Sequence, residues 1–157
     1  MENLAAAVAA ANLTIPVSTV ISMRTLSTSY PPSAGEFSAA AKPIMAQIVR
    51  FLQSEKYHLF LQVFPYFARE AYPVSVDLDF ALFRPGKTAV RDGGRTYLNL
   101  FDSMTDAAYA ALEKVGAGDV GIVVAEGGTP QWKMLKQQHW GMFYPNLTQV
   151  YHLNKIA

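Results

Sequence analysis

Val120-Gly121-Ile122-Val123-Val124-Ala125-Glu126 is an apolar run of strand length that ends on a carboxylate. The run lacks the polar-apolar alternation of a half-solvated strand. It reads as a strand covered on both faces, as in a parallel sheet. Just before it, residues 97–115 carry Leu98, Phe101, Thr105, Ala108, Leu112 and Val115 at helical spacing. That pattern predicts a helix stopped by Gly116. Further back, His58 to Phe64 (His-Leu-Phe-Leu-Gln-Val-Phe) is a second buried-type run. A helix over 43–54 precedes it, with Pro43 in its first turn and Ile44, Ile48, Phe51 and Leu52 as the apolar stripe. Thr14 to Ile21 is rich in β-branched residues and predicts a third strand, with Pro16 near its start.

The remaining segments fill in around these. Residues 3–11 are alanine-rich and favour a helix. Residues 23–35, with Tyr30-Pro31-Pro32-Ser33-Ala34-Gly35, read as a loop. Between Phe64 and residue 97 the chain makes a long excursion. There Val74, Val76, Leu78, Phe80 and Leu82 alternate with a period of two, the strand signature, and Arg91-Asp92-Gly93-Gly94 supplies a turn. The stretch 127–157 has no sustained periodicity. The order helix, strand, helix, strand, excursion, helix, strand predicts a parallel α/β sheet.

Composition bounds the function. A chain of 157 residues fits one domain, so 1–157 is read as a single domain. Hydrophobic residues are 51% and charged residues only 16%, which argues against disorder. The net charge of +1 offers no basic field for nucleic acid or an anionic membrane surface. Cysteine is absent, which removes disulfides, thiolate catalysis and cysteine-ligated metals. No apolar run is long enough to span a bilayer. Met1-Glu2-Asn3-Leu4 lacks the basic start of a signal peptide.

In parallel α/β folds the chemistry sits at the carboxyl ends of strands. Three places qualify: Ser22-Met23-Arg24, Pro65-Tyr66-Phe67 and Glu126. Glu126, followed by Gly127-Gly128, reads either as a nucleophile or general base, or as a solvated strand end. Phe64-Pro65-Tyr66-Phe67 reads either as a platform that stacks on pyranose rings or as core packing. Asp77 and Asp79 are expected on a solvated strand face, and Asp102 and Asp106 on the solvated side of their helix. His58, His139 and His152 share no metal-ligand spacing, so no metal site is assigned. A phosphate loop and a serine elbow both lack support. Asn12-Leu13-Thr14 and Asn146-Leu147-Thr148 match the glycosylation acceptor pattern, which matters only in a secreted chain.

Taken in order, several short stretches resemble the plant glucan endo-1,3-β-glucosidases of glycoside hydrolase family 17. They are Val17 to Ile21, Tyr30 to Gly35, Val63 to Phe67, Asp79 to Phe83 and Thr88 to Gly93. Asn99 to Asp102, Tyr109 to Lys114, Val123 to Glu126 and Trp140 to Asn146 complete the series. The resemblance implies an α/β fold that is part of a (β/α)8 TIM barrel, about its fifth to seventh βα units plus a C-terminal tail. It implies retaining hydrolysis of internal β-1,3-glucosidic bonds, without metal or organic cofactor. Glu126 matches the nucleophile at the end of the seventh barrel strand. Tyr66 and Phe67 match aromatic residues near the cleft, and Gln62 and Phe64 stand where the family has Asn and Tyr.

The same resemblance sets limits. The family's general-acid glutamate, in a Gly-Asn-Glu motif after the fourth strand, has no counterpart among these residues. Gly127-Gly128-Thr129-Pro130 replaces Ser-Gly-Trp-Pro and matches a stretch further along the family sequence, so an internal deletion is expected. The alternatives are therefore an inactive glucan-binding remnant, using Tyr66, Phe67 and Trp132 or Trp140, or an unstable truncated product. The expected partner is β-1,3-glucan, with self-association through sheet edges left open by an incomplete barrel. Relatives are typically secreted to the wall or vacuolar; the compartment of this chain is not assigned.

Overall fold

The computed structural model describes residues 1–84 and 89–127. Helix α1 (Glu2–Ala10) buries none of its residues. It ends in a left-handed turn: Asn12 has φ 57°, its N–H donates to Ala9 O, and Leu13 N–H donates to Val8 O. These two bonds form a Schellman stop.

Strand β1 is Val20–Ser22, shorter than the expected Thr14 to Ile21. Among the described residues its one neighbour is β4 (Leu59–Val63), and pairing begins at Val20 opposite Phe60. Upstream of that point the β-branched residues pair with no strand among the described residues, and Ile15 is exposed. The expected loop 23–35 holds a helical turn (Met23–Thr25), a short strand β2 (Leu26–Thr28) and a turn at Pro32–Ala34. β2 pairs antiparallel with β3 (Glu36–Phe37).

Helix α2 (Lys42–Glu55) buries Met45, Val49 and Leu52. The face is rotated one residue from the expected stripe, and Ile44 is 60% exposed. Residues 44, 45, 48, 49, 51 and 52 are all apolar, so the sequence permits two adjacent stripes. The core selects the one centred on Val49, with Ile48 and Phe51 packed along its flank.

After β4 come α3 (Pro65–Ala71) and the single-turn α4 (Leu78–Ala81). The expected strand over 74–82 is absent. Asp77 instead caps α4, accepting from Phe80 N at 3.0 Å. Val74 is 98% exposed and Leu78 is exposed, with Phe80 alone of the five alternating residues buried, so the alternation there has no continuous buried face. A hairpin follows, β5 (Val90–Asp92) with β6 (Arg95–Tyr97), turning at Gly93 with φ 58°. Helix α5 (Leu100–Lys114) starts two residues after the exposed Leu98. Asn99 caps it, accepting from Asp102 N at 2.8 Å.

Strand β7 (Ile122–Gly127) completes a parallel three-stranded sheet of order β1-β4-β7. Leu59, Leu61, Val63, Ile122 and Val124 point from one sheet face into the core. They meet Met45, Val49 and Leu52 of α2 and Phe101, Ala108, Ala111 and Leu112 of α5. The other face of the strands is less covered: Val20 is 49% exposed and Phe60 37%. Parallel strands joined through α2 and α5 confirm the α/β class read from the sequence.

Candidate active site

The strand ends gather the candidate residues. Along β4, Leu59, Leu61 and Val63 face the helices, while Phe60 and Gln62 face the opposite side. Along β7, Ile122 and Val124 face the helices. Strict alternation would then return Glu126 to the helix-facing side. It does not return there. Leu61 pairs with Val124, but the next pair is Gln62 with Glu126, so the register slips across Ala125. This extra residue is a β-bulge, a device that re-aims the side chains beyond it. Glu126 lands on the face of Gln62, and Gln62 Nε2 donates to Glu126 Oε2 at 2.7 Å. The carboxylate is exposed rather than buried against a helix.

Gly127 continues the same close approach. A Cβ there would lie 2.7 Å from the Val63 carbonyl oxygen, so the strand ends fit only without a side chain at this position.

The aromatic residues follow β4 directly. Phe64 precedes α3, Pro65 occupies its first turn, and Tyr66 and Phe67 come next. The Phe64 and Phe67 rings sit 5.4 Å apart at 50°, a tilted pair. Phe67 is 47% exposed, while Phe64 and Tyr66 are half-buried. One face of this cluster is therefore available to a ligand. Ser22 ends β1, and Met23 and Arg24 lie in the turn after it. Trp132, Trp140, His139 and His152 lie outside the described residues. Among the described residues no cluster of three or more His, Asp or Glu is placed to hold a metal ion.

Two features were not legible in the sequence. Arg69, on α3 beyond Tyr66, has its Nε buried without a hydrogen-bond partner among the described residues. Asp106, expected to be solvated, is held instead by Arg95 Nη1 and Tyr97 Oη, each at 2.7 Å. Burial, reinforced by the bond it donates to Asp106, pushes the Tyr97 phenol up to about 12. Asp102 is exposed, as expected, and partial desolvation raises its pKa, against the bond from the Asn99 amide. Asp92 at the hairpin tip accepts from Ser33 N at 2.6 Å and Ser33 Oγ at 2.9 Å. The excursion between β4 and α5 is thus pinned at both ends of its hairpin.

The chain is similar to several known proteins. A Hordeum vulgare protein, glucan endo-1,3-beta-glucosidase GII, is 49% identical over 133 residues, covering 83% of this chain and 39% of its own length. A second Hordeum vulgare protein, named as the GVI glucan endo-1,3-beta-glucosidase, is 38% identical over 205 residues that take in all of this chain and 64% of its own length. Those 205 positions face only 157 residues here, a surplus of 48 that marks a gap in this chain. Among solved structures, CJP38, a beta-1,3-glucanase and allergen of Cryptomeria japonica pollen, superposes with a TM-score of 0.79 at 41% identity. The superposition covers 82% of this chain and 40% of that one. The chain therefore spans between about two fifths and two thirds of the length of these relatives. The family model for glycosyl hydrolases family 17 matches residues 1–133, and the chain belongs to that family.

Proposed function

We propose that Glu126 is the nucleophile in a retaining hydrolysis of internal β-1,3-glucosidic bonds. Its carboxylate attacks the anomeric carbon to give a glycosyl-enzyme, while the departing glycosidic oxygen takes a proton from a second carboxyl group. Water then releases the sugar. Gln62 orients Glu126, and Phe64, Tyr66 and Phe67 form the aromatic wall against which a pyranose ring stacks. The observation that carries this reading is the bulge at Ala125, which turns a carboxylate out of the core onto the glutamine side of the sheet. The names of the relatives supply the substrate class.

The same reading treats β1, β4 and β7 as an arc of a (β/α)8 barrel within a single domain over 1–157. Closure of a barrel removes sheet edges. The outer edges of β1 and β7 and the half-exposed Val20 and Phe60 then become the surface for a second copy. A stable monomer on size-exclusion chromatography counts against that association.

A retaining site needs its acid roughly 5 Å from the nucleophile. The family's acid motif has no counterpart in these residues, and general acid–base help is worth about 10²–10⁴ in rate. Turnover by this chain is expected to fall short of a full-length relative by about that factor. The test is reducing-sugar release from a linear β-1,3-glucan by folded chain, beside Glu126→Gln. Release abolished by the substitution supports the assignment. Release that survives it removes Glu126 from the mechanism. Glucan binding with no release in either protein selects the binding remnant.

A further inference from the structure

We propose that Asn12 is an N-glycan acceptor, modified when the chain is delivered into a secretory lumen. The chemistry is a transfer from a lipid-pyrophosphate-linked oligosaccharide. The Asn12 carboxamide nitrogen bonds to the anomeric carbon of the sugar, and the bond from that carbon to the pyrophosphate oxygen breaks. The lipid pyrophosphate leaves with the electron pair, and the displaced amide proton passes to a base of the transferase.

Asn12-Leu13-Thr14 has the acceptor spacing, with neither Leu13 nor the following Ile15 a proline. All three residues are exposed. Asn12 already has a structural task, but its main chain performs it. Its φ of 57° provides the left-handed turn, and the stop to α1 is made by the N–H groups of Asn12 and Leu13. The carboxamide takes no part in either bond. Residues 13–19 carry no helix or strand and are free of ladder hydrogen bonds up to Thr19, whose carbonyl accepts from Phe60 N. A transferase can therefore grip the segment without dismantling the sheet.

Position completes the argument. Asn12 leads into β1 from the amino-terminal end of the parallel sheet, where Ser18 Oγ bonds the His58 carbonyl. Gln62 and Glu126 lie toward the carboxyl ends of their strands. A glycan on Asn12 leaves the candidate cleft open. It also screens Leu13 and Ile15, which are each more than half exposed beside this turn.

The experiment is import of the full chain, behind a cleavable leader, into endoplasmic-reticulum microsomes. An Asn146→Gln background makes any shift report on Asn12. The expected result is a gain in mass of one oligosaccharide, reversed by peptide N-glycosidase. Asn12→Gly keeps the left-handed stop and loses the shift; Thr14→Ala loses it with Asn12 in place; Thr14→Ser retains it. An imported chain that stays unmodified beside a glycosylated control protein overturns the proposal, as does a shift that persists in Asn12→Gly. The glycosylated chain is expected to keep the urea midpoint of the bare chain, and a lower midpoint would show that the folded turn does not accommodate the sugar.

Discussion

Tyr97→Phe removes one oxygen, and its effect on stability is expected to depend on pH in a direction that the structure fixes. The Tyr97 side chain is 93% covered and its hydroxyl donates to Asp106 Oδ2 at 2.7 Å. Burial first, and then that bond, raises the phenol from 10.0 to about 12. The folded state therefore holds the proton more tightly than the unfolded chain does. The resulting stabilisation is fully present below pH 10 and is lost as pH climbs through 12. The rise from 10.0 to about 12 corresponds to a full effect on the order of 3 kcal/mol, of which about half has gone by pH 11. Phenylalanine has no such proton.

Urea unfolding of both proteins, followed by circular dichroism at several values between pH 8 and 11, measures the difference. At pH 8 the variant is expected to be less stable by about 1–2 kcal/mol, the net worth of a hydrogen bond to a carboxylate that retains Arg95. Toward pH 11 that gap closes by roughly 1 kcal/mol. Contributions from the rest of the chain are common to both proteins and cancel in the difference. Parallel stability curves would refute the claim that Tyr97 is buried against a carboxylate.

Two other substitutions probe the frame that carries the candidate site. Gly35→Ala would place a Cβ 2.0 Å from the Ala107 carbonyl oxygen, a backbone atom of α5 that cannot rotate away. A loss of about 3 kcal/mol, read from the urea midpoint, is expected, and an unchanged midpoint would deny the contact. Asn99→Ala should cost about 1 kcal/mol by uncapping α5, while Asn99→Ser should stay close to wild type because its hydroxyl oxygen accepts the same N–H without setting a second carboxylate against Asp102. Equal losses in both would mean that the cap contributes nothing.

The legible parts of the fold are those where one interaction decides. β4 and β7 declared themselves because unbroken apolar runs have few other uses. α5 was legible through its spacing, and its start needed only the asparagine cap. The face of α2 was not legible, because two neighbouring stripes are equally apolar and only the core distinguishes them. The alternation over 74–82 misled because period two describes a strand only where a partner strand exists. At the site, Glu126 and the aromatic cluster were found from their place after apolar runs. Their mutual geometry was hidden: nothing in the composition of Val123-Val124-Ala125-Glu126 announces a slipped register. Asp106 was misread for a similar reason, since its partners Tyr97 and Arg95 come from a hairpin rather than from its own helix.

The slip at Ala125 makes the orientation of Glu126 a matter of parity. Side chains on a strand have two directions, and one additional residue exchanges them. Regular pairing with Ala125 kept in line would set Ala125 opposite Gln62 and send the carboxylate toward the Leu61 and Val124 side, where a charge meets only hydrocarbon. Removal of Ala125 would abolish the bulge and yet leave the glutamate next after Val124, opposite Gln62 and on the same outward face. At its present length the strand therefore keeps its carboxylate outward only as long as the bulge persists. A change that straightens β7, rather than one that shortens it at Ala125, is where this lineage would lose its carboxylate.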